Sequence, residues 1–153
     1  MEKQESDLVK NRRAFHDYLV EDTFEAGVAL LGSEVKSLRN HGGSLQDAYI
    51  TVKGGEMWLI HSSIAPYSFG GPHYNHEEKR ERKLLMHKNE IMKLKRLIQE
   101  KGLTLIPLAV YLKKGRIKIK VAVARGKKNY DKRAALKAKE DKRTVERALK
   151  EHH

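Results

Sequence analysis

The segment from residue 115 to residue 133 joins a strictly alternating pattern to a basic run with almost no apolar residues. In its first half, lysines and alanines alternate with four β-branched residues: Ile117, Ile119, Val121 and Val123. A period of two places these four side chains on one face and the lysines on the other, which predicts a half-buried β-strand. After Gly126, Tyr130 is the one apolar anchor of the run. We therefore expect the last strand of a β domain, followed by an exposed arm.

The net charge of the chain is +12, and half of it lies near the C-terminus. Residues 125–153 contain 11 Lys and Arg against 5 Asp and Glu, a net charge of +6. This excess points to a polyanionic partner, because the cations attract phosphates and release their counterions. A membrane surface is disfavoured, since no basic segment carries a strong apolar stripe and no apolar run is long enough to span a bilayer. The charge therefore predicts binding to nucleic acid.

The chain has 153 residues and no cysteine. This length predicts one domain, or one domain with an appendage. Without cysteine there is no disulfide, no thiolate zinc site and no cysteine nucleophile. The charged N-terminus lacks the apolar segment of a signal peptide, so we expect a cytoplasmic protein.

The first forty residues contain signals for one strand and one helix. Residues 1–10 are polar, and we expect a loose lead-in there. The even positions become apolar from Tyr18, which predicts a long strand with a break or bulge marked by Asp22 and Gly27. The segment from Ser33 to Arg39 predicts a short helix with Ser33 as its N-cap and with two exposed cations.

Turn residues divide the middle of the chain. Residues 53–56, Lys-Gly-Gly-Glu, predict a hairpin, and residues 68–82 predict a long surface loop. A helix is expected with Asn89 as its N-cap, running to about Lys101 and stopping at Gly102. It is followed by a strand over residues 103–112, in which Pro107 belongs at an edge or a bulge because it lacks a backbone donor.

These elements predict a mainly β fold: a small closed antiparallel barrel of the OB type with two or three short helices. We expect a loose N-terminal segment over residues 1–10, an RNA-binding barrel over 11–129 and a basic C-terminal tail over 130–153. The tail favours helix but has only a thin apolar seam, and a short isolated helix is marginal in water. We therefore expect it to be disordered in isolation and to fold on a partner.

Histidines provide the alternatives to RNA binding. The pair His73-x-x-His76 would need a third convergent ligand to hold a metal. An enzyme would rest on His16, Asp17 and His76, which would need convergent geometry and shifted pKa values. The HExxH, Walker, Rossmann and nucleophile-elbow motifs are absent. We therefore expect no enzyme, no metal and no cofactor.

Basic side chains near aromatic ones support RNA binding. A barrel could present one or two cationic faces formed by Lys36, Arg39, Arg82, Lys83, Lys118, Lys120, Arg125, Lys127 and Lys128. The rings of His16, Tyr18 and Tyr130 could stack on bases.

A series of ordered motifs is more specific than any single cation. In chain order they are Asn11-Arg12-Arg13-Ala14-x-His16-Asp17-Tyr18, Phe24-Glu25-Ala26-Gly27, Gly32-Ser33-Glu34-Val35-Lys36-Ser37-Leu38-Arg39, Asp47-Ala48-Tyr49, Pro66-Tyr67, Asn75-His76, Arg82-Lys83-Leu84-Leu85, Glu90-Ile91 and Gly126-Lys127-Lys128-x-Tyr130-Asp131-Lys132-Arg133. With these motifs the chain resembles, from about residue 8 to its end, the SsrA-binding protein (SmpB) family, the protein partners of transfer-messenger RNA.

The resemblance implies an OB-fold barrel without catalytic activity that binds the tRNA-like domain of transfer-messenger RNA. Such a protein supports alanine charging of that RNA and delivers it, with EF-Tu and GTP, to ribosomes stalled on messages without a stop codon. The nascent chain is then tagged for proteolysis. EF-Tu and alanyl-tRNA synthetase would be reached indirectly through the RNA, and we expect the protein to be a monomer.

The resemblance also implies roles for individual residues. Those on the RNA-gripping side are Asn11, His16, Glu25, Lys36, Arg39 and Leu85. The charge argument adds three cations, Lys83, Lys127 and Lys128. The resemblance places a tail in the decoding centre and the empty mRNA channel: Asp131, Lys132, Arg133 and later residues such as Lys137. Tyr130 could stack on a ribosomal base at the root of that tail.

One departure from the family concerns the loop after His76, where Glu77-Glu78 stand in place of a frequent proline. This leaves the conformation of the loop open. Two other functions are also considered: a generic OB-fold RNA binder, such as a ribosomal or RNA-chaperone protein, and an RNA-processing enzyme.

Overall fold

The computed structural model describes residues 6–127, which form nine strands and four helices. The strands are β1 Ser6–Lys10, β2 Tyr18–Val28, β3 Gly43–Ser44, β4 Tyr49–Lys53, β5 Glu56–Ile60, β6 Ser63–Ile64, β7 Arg82–Leu85, β8 Thr104–Lys113 and β9 Arg116–Gly126. The helices are α1 Arg12–Asp17, α2 Gly32–Arg39, α3 Gly71–Tyr74 and α4 Lys88–Lys101. Within residues 6–127, every helix is too short or too polar to cross a bilayer.

Seven strands form one antiparallel sheet in the order β1-β8-β4-β5-β7-β2-β9. Strand β9 also pairs with β8. The hydrogen-bonded pairings therefore form a ring that runs from β8 through β4, β5, β7, β2 and β9 and back to β8. Strand β1 lies outside this ring, on the edge of β8, and β3 pairs separately with β6. The prediction of a mainly β, OB-like fold is confirmed.

The irregularities predicted at Asp22 and at Pro107 are present, whereas the pairing of β2 with β9 stays regular at Gly27. The register of β2 against β9 shifts between Val20 and Asp22, and the register of β8 against β9 shifts between Pro107 and Ala109. Asn11 binds the second bulge, because its backbone N–H donates to Leu108 O and its Nδ2 to Pro107 O, both at 2.8 Å. Each bulge bends its strand and lets it follow the curved sheet.

The predicted hairpin turn and the predicted end of α4 are also confirmed. Gly54 and Gly55, with φ of 59° and 76°, form the two-residue turn between β4 and β5. Gly102, with φ of 64°, ends α4 in the left-handed conformation. Glycine adopts these angles without the steric cost that a Cβ imposes.

The core has two parts on opposite faces of β9. Val121 and Val123 lie in the main cluster inside the sheet. Ala122 and Ala124 lie in a second, small cluster with Ala14 of α1. The predicted half-buried strand is therefore correct only up to about Lys120, because α1 covers the outer face beyond it.

The structure differs from the sequence-based predictions in several local features. The loose N-terminal segment is wrong for residues 6–10, where Leu8 and Val9 are buried and β1 pairs with β8. Helix α1 was not expected, and α3 lies within the predicted loop. The N-caps of α2 and α4 are Leu31 and His87 rather than Ser33 and Asn89. In α2 and α4 the first-turn carboxylate accepts the N-cap backbone N–H and so serves in place of a capping hydroxyl. The tail, residues 130–153, lies outside the described residues.

A buried charged group joins α2 to the start of β7. The Glu34 and Arg82 side chains have no exposed surface, and Arg82 Nη2 lies 2.7 Å from Glu34 Oε2. Arg80 Nη2 lies 2.6 Å from Glu34 Oε1. Burial raises the pKa of Glu34, but the hydrogen bonds from Arg80 and from the Leu31 amide, together with the Arg82 charge, outweigh it and hold the pKa below 4.5. Arg82 is therefore not available to RNA, contrary to the expectation from its charge.

Replacing Glu34 with Gln tests how much this buried charged group contributes to the stability of the fold. The substitution keeps the side-chain shape but leaves the buried Arg82 charge uncompensated, so we expect the free energy of unfolding at pH 7 to fall by about 3–5 kcal/mol. Urea denaturation measures this loss. Glu81→Gln is the matched control, because the exposed pair of Glu81 with Lys53 is worth about 1 kcal/mol or less. Equal losses from the two variants would contradict the assignment.

The same group should contribute to acid sensitivity. A carboxylate whose pKa is lower in the folded state stabilises that state fully above the unfolded-state value, here 4.5. That contribution is lost as the pH falls through the folded-state pKa. The parent should therefore lose more stability than Glu34→Gln when the pH is lowered below 4.5.

Candidate nucleic-acid interface

Four neighbouring strands bring a polar and basic surface together on the outside of the sheet. Gly27 of β2 pairs with Leu85 of β7 and with Lys118 of β9, and Lys118 pairs with Tyr111 of β8. One step along the same face, Glu25 pairs with Lys120. Paired residues share a face of a sheet. The outer strip is therefore defined as Leu85, Gly27, Glu25, Lys118, Lys120 and Tyr111.

Glu25 lies at the centre of the outer strip and is held in place. The Tyr111 hydroxyl donates to Glu25 Oε2 at 2.6 Å, and Lys113 Nζ lies 3.2 Å from the same oxygen. The hydrogen bond from Tyr111, together with Lys113 and the charge of Lys118, lowers the pKa of Glu25 despite some desolvation. The strip therefore presents an oriented carboxylate acceptor among lysines rather than the loosely solvated residue typical of an outer strand face.

Gly27 and Leu85 form the apolar end of the outer strip. Leu85 is 50% exposed, whereas its neighbour Leu84 is buried. A Cβ on Gly27 would lie 3.3 Å from Leu85 Cβ, which is tighter than ordinary van der Waals contact. Gly27 therefore allows the exposed leucine to lie close against β2.

At its other end, the outer strip continues into a depression beside α1. This depression has a volume of about 300 Å³ and shares Tyr111 and Lys120 with the strip. Lys10 and Arg12 supply further positive charge to its lining. Phe15, which is 58% exposed, supplies an aromatic ring. Cations and a ring around a concave surface suit a sugar-phosphate backbone with an accessible base.

Three of the predicted RNA-binding residues lie on or next to α1. Asn11 precedes α1 and lines the depression, although its Nδ2 donates to Pro107 O. His16 is on α1 with an 86% exposed side chain. Lys127 Nζ donates to Phe15 O at 3.0 Å, which brings the end of the described chain next to α1. The structure therefore places Asn11, His16 and Lys127 on the side of the barrel where α1 packs.

The other predicted cations lie elsewhere or are paired. Lys83 forms an ion pair with Glu56. Lys36 and the exposed Arg39 are on α2, where Lys36 Nζ is 5.1 Å from the centre of the Tyr74 ring. Lys128 lies outside the described residues, as do the predicted tail residues Tyr130, Asp131, Lys132, Arg133 and Lys137.

Sequence reasoning missed the contribution of β8. Tyr111 and Lys113 orient Glu25 from a strand 86 and 88 residues away in sequence. The sequence does indicate that Tyr111 and Lys113 lie on the outer face of β8, since alternation puts both on the face opposite Val110. Their link to Glu25 depends on β9 lying between the two strands, which periodicity within one strand does not reveal.

The histidines considered for metal binding or catalysis contact different parts of the chain. His76 Nδ1 is 2.7 Å from Ser33 Oγ, and its Nε2 is 2.9 Å from Ile64 O. His16 Nδ1 is 3.0 Å from Asp17 Oδ1, and this hydrogen bond is the main cause of the lowered pKa of Asp17. Among residues 6–127, no three His, Asp or Glu side chains are arranged to hold a metal ion.

Comparisons with known proteins agree on one family. The family model described as "SmpB protein" matches residues 8–151. The SsrA-binding protein of Protochlamydia amoebophila is 61% identical over 151 residues, which span 99% of this chain and 98% of that protein. The SsrA-binding protein of Chlamydia muridarum is 53% identical over 144 residues, with 94% and 95% covered.

A solved structure agrees with these matches. It comes from a study called "tmRNA-SmpB: a journey to the center of the bacterial ribosome". That chain superposes with a TM-score of 0.64 at 43% identity, and the match covers 76% of this chain and 82% of the other. On the sequence and the fold together, this chain belongs to the SsrA-binding protein (SmpB) family.

Proposed function

We propose that this chain is an RNA-binding adaptor of trans-translation, which binds transfer-messenger RNA and acts with it at the ribosome. The observation that carries this function is the outer strip, where four paired strands bring a fixed carboxylate, two lysines and an exposed leucine to one face. Membership of the family supports the choice of this RNA over a generic RNA partner.

The outer strip is suited to folded RNA rather than to a linear sequence. Lys118 and Lys120 can neutralise phosphates, and Glu25 can accept a hydrogen bond from a ribose 2′-hydroxyl or a base amino group. Such contacts read the shape of an RNA surface, because the major groove of an A-form helix is too narrow for side chains. Leu85 adds an apolar contact beside these polar ones. We therefore place the tRNA-like domain of the RNA on this face and beside α1.

The tail is proposed to act on the ribosome, in the decoding centre and the empty mRNA channel. Its contacts are assigned to Tyr130, Asp131, Lys132, Arg133 and Lys137. A segment without its own packed core can order inside an RNA-walled channel, where phosphates offset the ordering entropy. In this proposal residues 11–129 hold the RNA, residues 130–153 reach the ribosome, and β1 belongs with the barrel.

The proposed role is binding rather than catalysis. The separate settings of His16 and His76 support it, since general acid–base chemistry needs convergent groups. We propose that a monomer acts in the cytoplasm, where ribosomes stall. EF-Tu and alanyl-tRNA synthetase are proposed to be reached through the bound RNA rather than by direct contact.

Removing two lysines of the outer strip tests the phosphate contacts. For Lys118→Ala with Lys120→Ala, we expect weaker binding to the tRNA-like domain and a salt-dependence slope reduced by about 0.7–0.9 for each lost phosphate contact. Filter binding from about 50 to 200 mM salt measures both. The control is Lys95→Ala with Arg96→Ala, which also removes two positive charges, but beside the β4–β5 hairpin. It should change the affinity and the salt-dependence slope less. Equal effects would mean that only net charge matters.

Neutralising the carboxylate tests whether the outer strip recognises more than charge. Because Glu25→Gln removes a negative charge, simple electrostatics predicts tighter binding to any RNA. If Glu25 accepts a specific hydrogen bond, binding to the tRNA-like domain should instead weaken about tenfold, while binding to an unrelated duplex does not weaken. Glu21→Gln, on the same strand and paired with Arg125, is the control. Tighter binding to both RNAs would refute the role of Glu25.

Truncation tests the division between barrel and tail. A chain ending at Tyr130 should still bind the tRNA-like domain, because the outer strip and α1 remain. It should fail to support tagging of a nascent chain on ribosomes stalled at the end of a message. Binding assays and a reconstituted tagging reaction measure the two activities separately. Loss of both to the same extent would contradict the division.

A further inference from the structure

Tyr111 contacts Glu25 across the full width of a neighbouring strand. Glu25 is on β2 and Tyr111 is on β8, and β9 lies between these two strands. Adjacent strands are about 4.8 Å apart, so the two side chains together bridge about 10 Å between their backbones. The hydroxyl and the carboxylate nevertheless meet at 2.6 Å. The Glu25 side chain therefore extends over β9 toward β8 rather than straight out into solvent.

The Tyr111 ring is held by its surroundings, although it lies on the outer face of the sheet. Tyr111 pairs with Asp7 of β1 on one side and with Lys118 of β9 on the other. Paired residues lie side by side on one face, and only 8% of Tyr111 is exposed. A closely packed ring keeps one rotamer, so its hydroxyl has a fixed position. The same burial leaves Tyr111 little surface to offer to an RNA directly.

Lys113, the second donor to Glu25, is a weaker constraint than Tyr111. The Lys113 side chain is 42% exposed, and an exposed ion pair contributes little because solvent screens it and two long side chains lose freedom. The phenol donates to an ionised carboxylate, and such charge-assisted hydrogen bonds are stronger than neutral ones. Among the causes that lower the pKa of Glu25, the hydrogen bond from Tyr111 is the largest, ahead of those from Lys113 and Lys118.

Both donors use the same oxygen of the Glu25 carboxylate. Tyr111 and Lys113 contact Oε2, and within residues 6–127 no group donates to Oε1. The Glu25 side chain is 37% exposed, so a ligand can reach Oε1. An ionised carboxylate only accepts hydrogen bonds. One oxygen is therefore held by the protein, and the other is presented as an acceptor.

From this geometry we propose that Tyr111 is a positioning residue for RNA binding: its hydroxyl holds Glu25 Oε2 and so directs Oε1 at a hydrogen-bond donor of the bound RNA. A carboxylate that is already held loses less rotamer freedom when the RNA arrives than a freely moving glutamate would. The inference deepens the proposed RNA-binding function and rests on it.

Removing the hydroxyl alone tests this role. Tyr111→Phe keeps the ring and the net charge, so the phosphate contacts should be retained. We expect binding to the isolated tRNA-like domain to weaken about fivefold, with an unchanged salt-dependence slope because no phosphate contact is lost. Filter binding measures both. Tyr49→Phe is the matched control, since it removes the same group from β4, outside the outer strip, and should bind like the parent.

A double-mutant cycle shows whether Tyr111 acts through Glu25. In the Glu25→Ala background there is no carboxylate for Tyr111 to hold, so Tyr111→Phe should change the affinity less than about twofold. A residue that only supported the fold, or that contacted the RNA itself, would weaken binding equally in both backgrounds. That outcome would overturn the proposal, as would an unchanged affinity of Tyr111→Phe in the parent chain.

NMR titration of the Glu25 carboxyl group gives a readout that needs no RNA. This group is faced by Tyr111 and Lys113 of β8 and by Lys118 and Lys120 of β9. Loss of the hydroxyl removes the largest stabilisation of the charged form, so the pKa of Glu25 should rise in Tyr111→Phe. The control variant should keep the pKa of the parent. An unchanged pKa in Tyr111→Phe would contradict the inference.

The parent chain separates failure of this inference from failure of the proposed function. If the parent binds the tRNA-like domain and Tyr111→Phe binds it equally well, only the positioning role is wrong. If the parent binds the tRNA-like domain no better than an unrelated duplex, the proposed function itself is wrong, and the positioning role is wrong with it.

Discussion

The buried ion pair between Glu34 and Arg82 fixes helix α2 against the start of strand β7. Removing two charges from water is costly unless each has a close partner and further hydrogen bonds. Glu34 meets this need with Arg80, Arg82 and the Leu31 amide, and Arg82 meets it with Ser62 and the carbonyl oxygens of residues 77, 78 and 80. Helix α2, the loop before β7 and β7 itself are therefore fixed relative to one another.

The position of the outer strip depends on this arrangement. Strand β7 begins at Arg82 and ends at Leu85, so the buried contact also positions the apolar end of the outer strip. Helix α2 contains Glu34 and also carries Lys36, whose amino group lies 5.1 Å from the centre of the Tyr74 ring. The outer strip in turn places fixed charges that suit the shape of folded RNA.

Sequence patterns predicted what depends on neighbours along the chain. Alternation predicted β9, the glycines at 54 and 55 predicted the hairpin, and Pro107 predicted a bulge, because a period or a missing donor is a local property. The same reasoning failed where a distant element changed the environment. Strand β1 has too few residues to show its period clearly, and Arg82 looks like a surface cation until Glu34 is placed beside it.

For this protein, the sequence alone determined the class of fold, the excess of positive charge and, through its ordered motifs, the family. These features are written in composition and spacing, which do not depend on how the chain packs. Only the tertiary structure decided which residues act together. Glu25 meets Tyr111, and Lys36 meets Tyr74, because sheet pairing and a hydrogen-bonded loop bring together residues 86 and 38 positions apart. Such contacts follow from the burial of the whole core, which no single segment encodes.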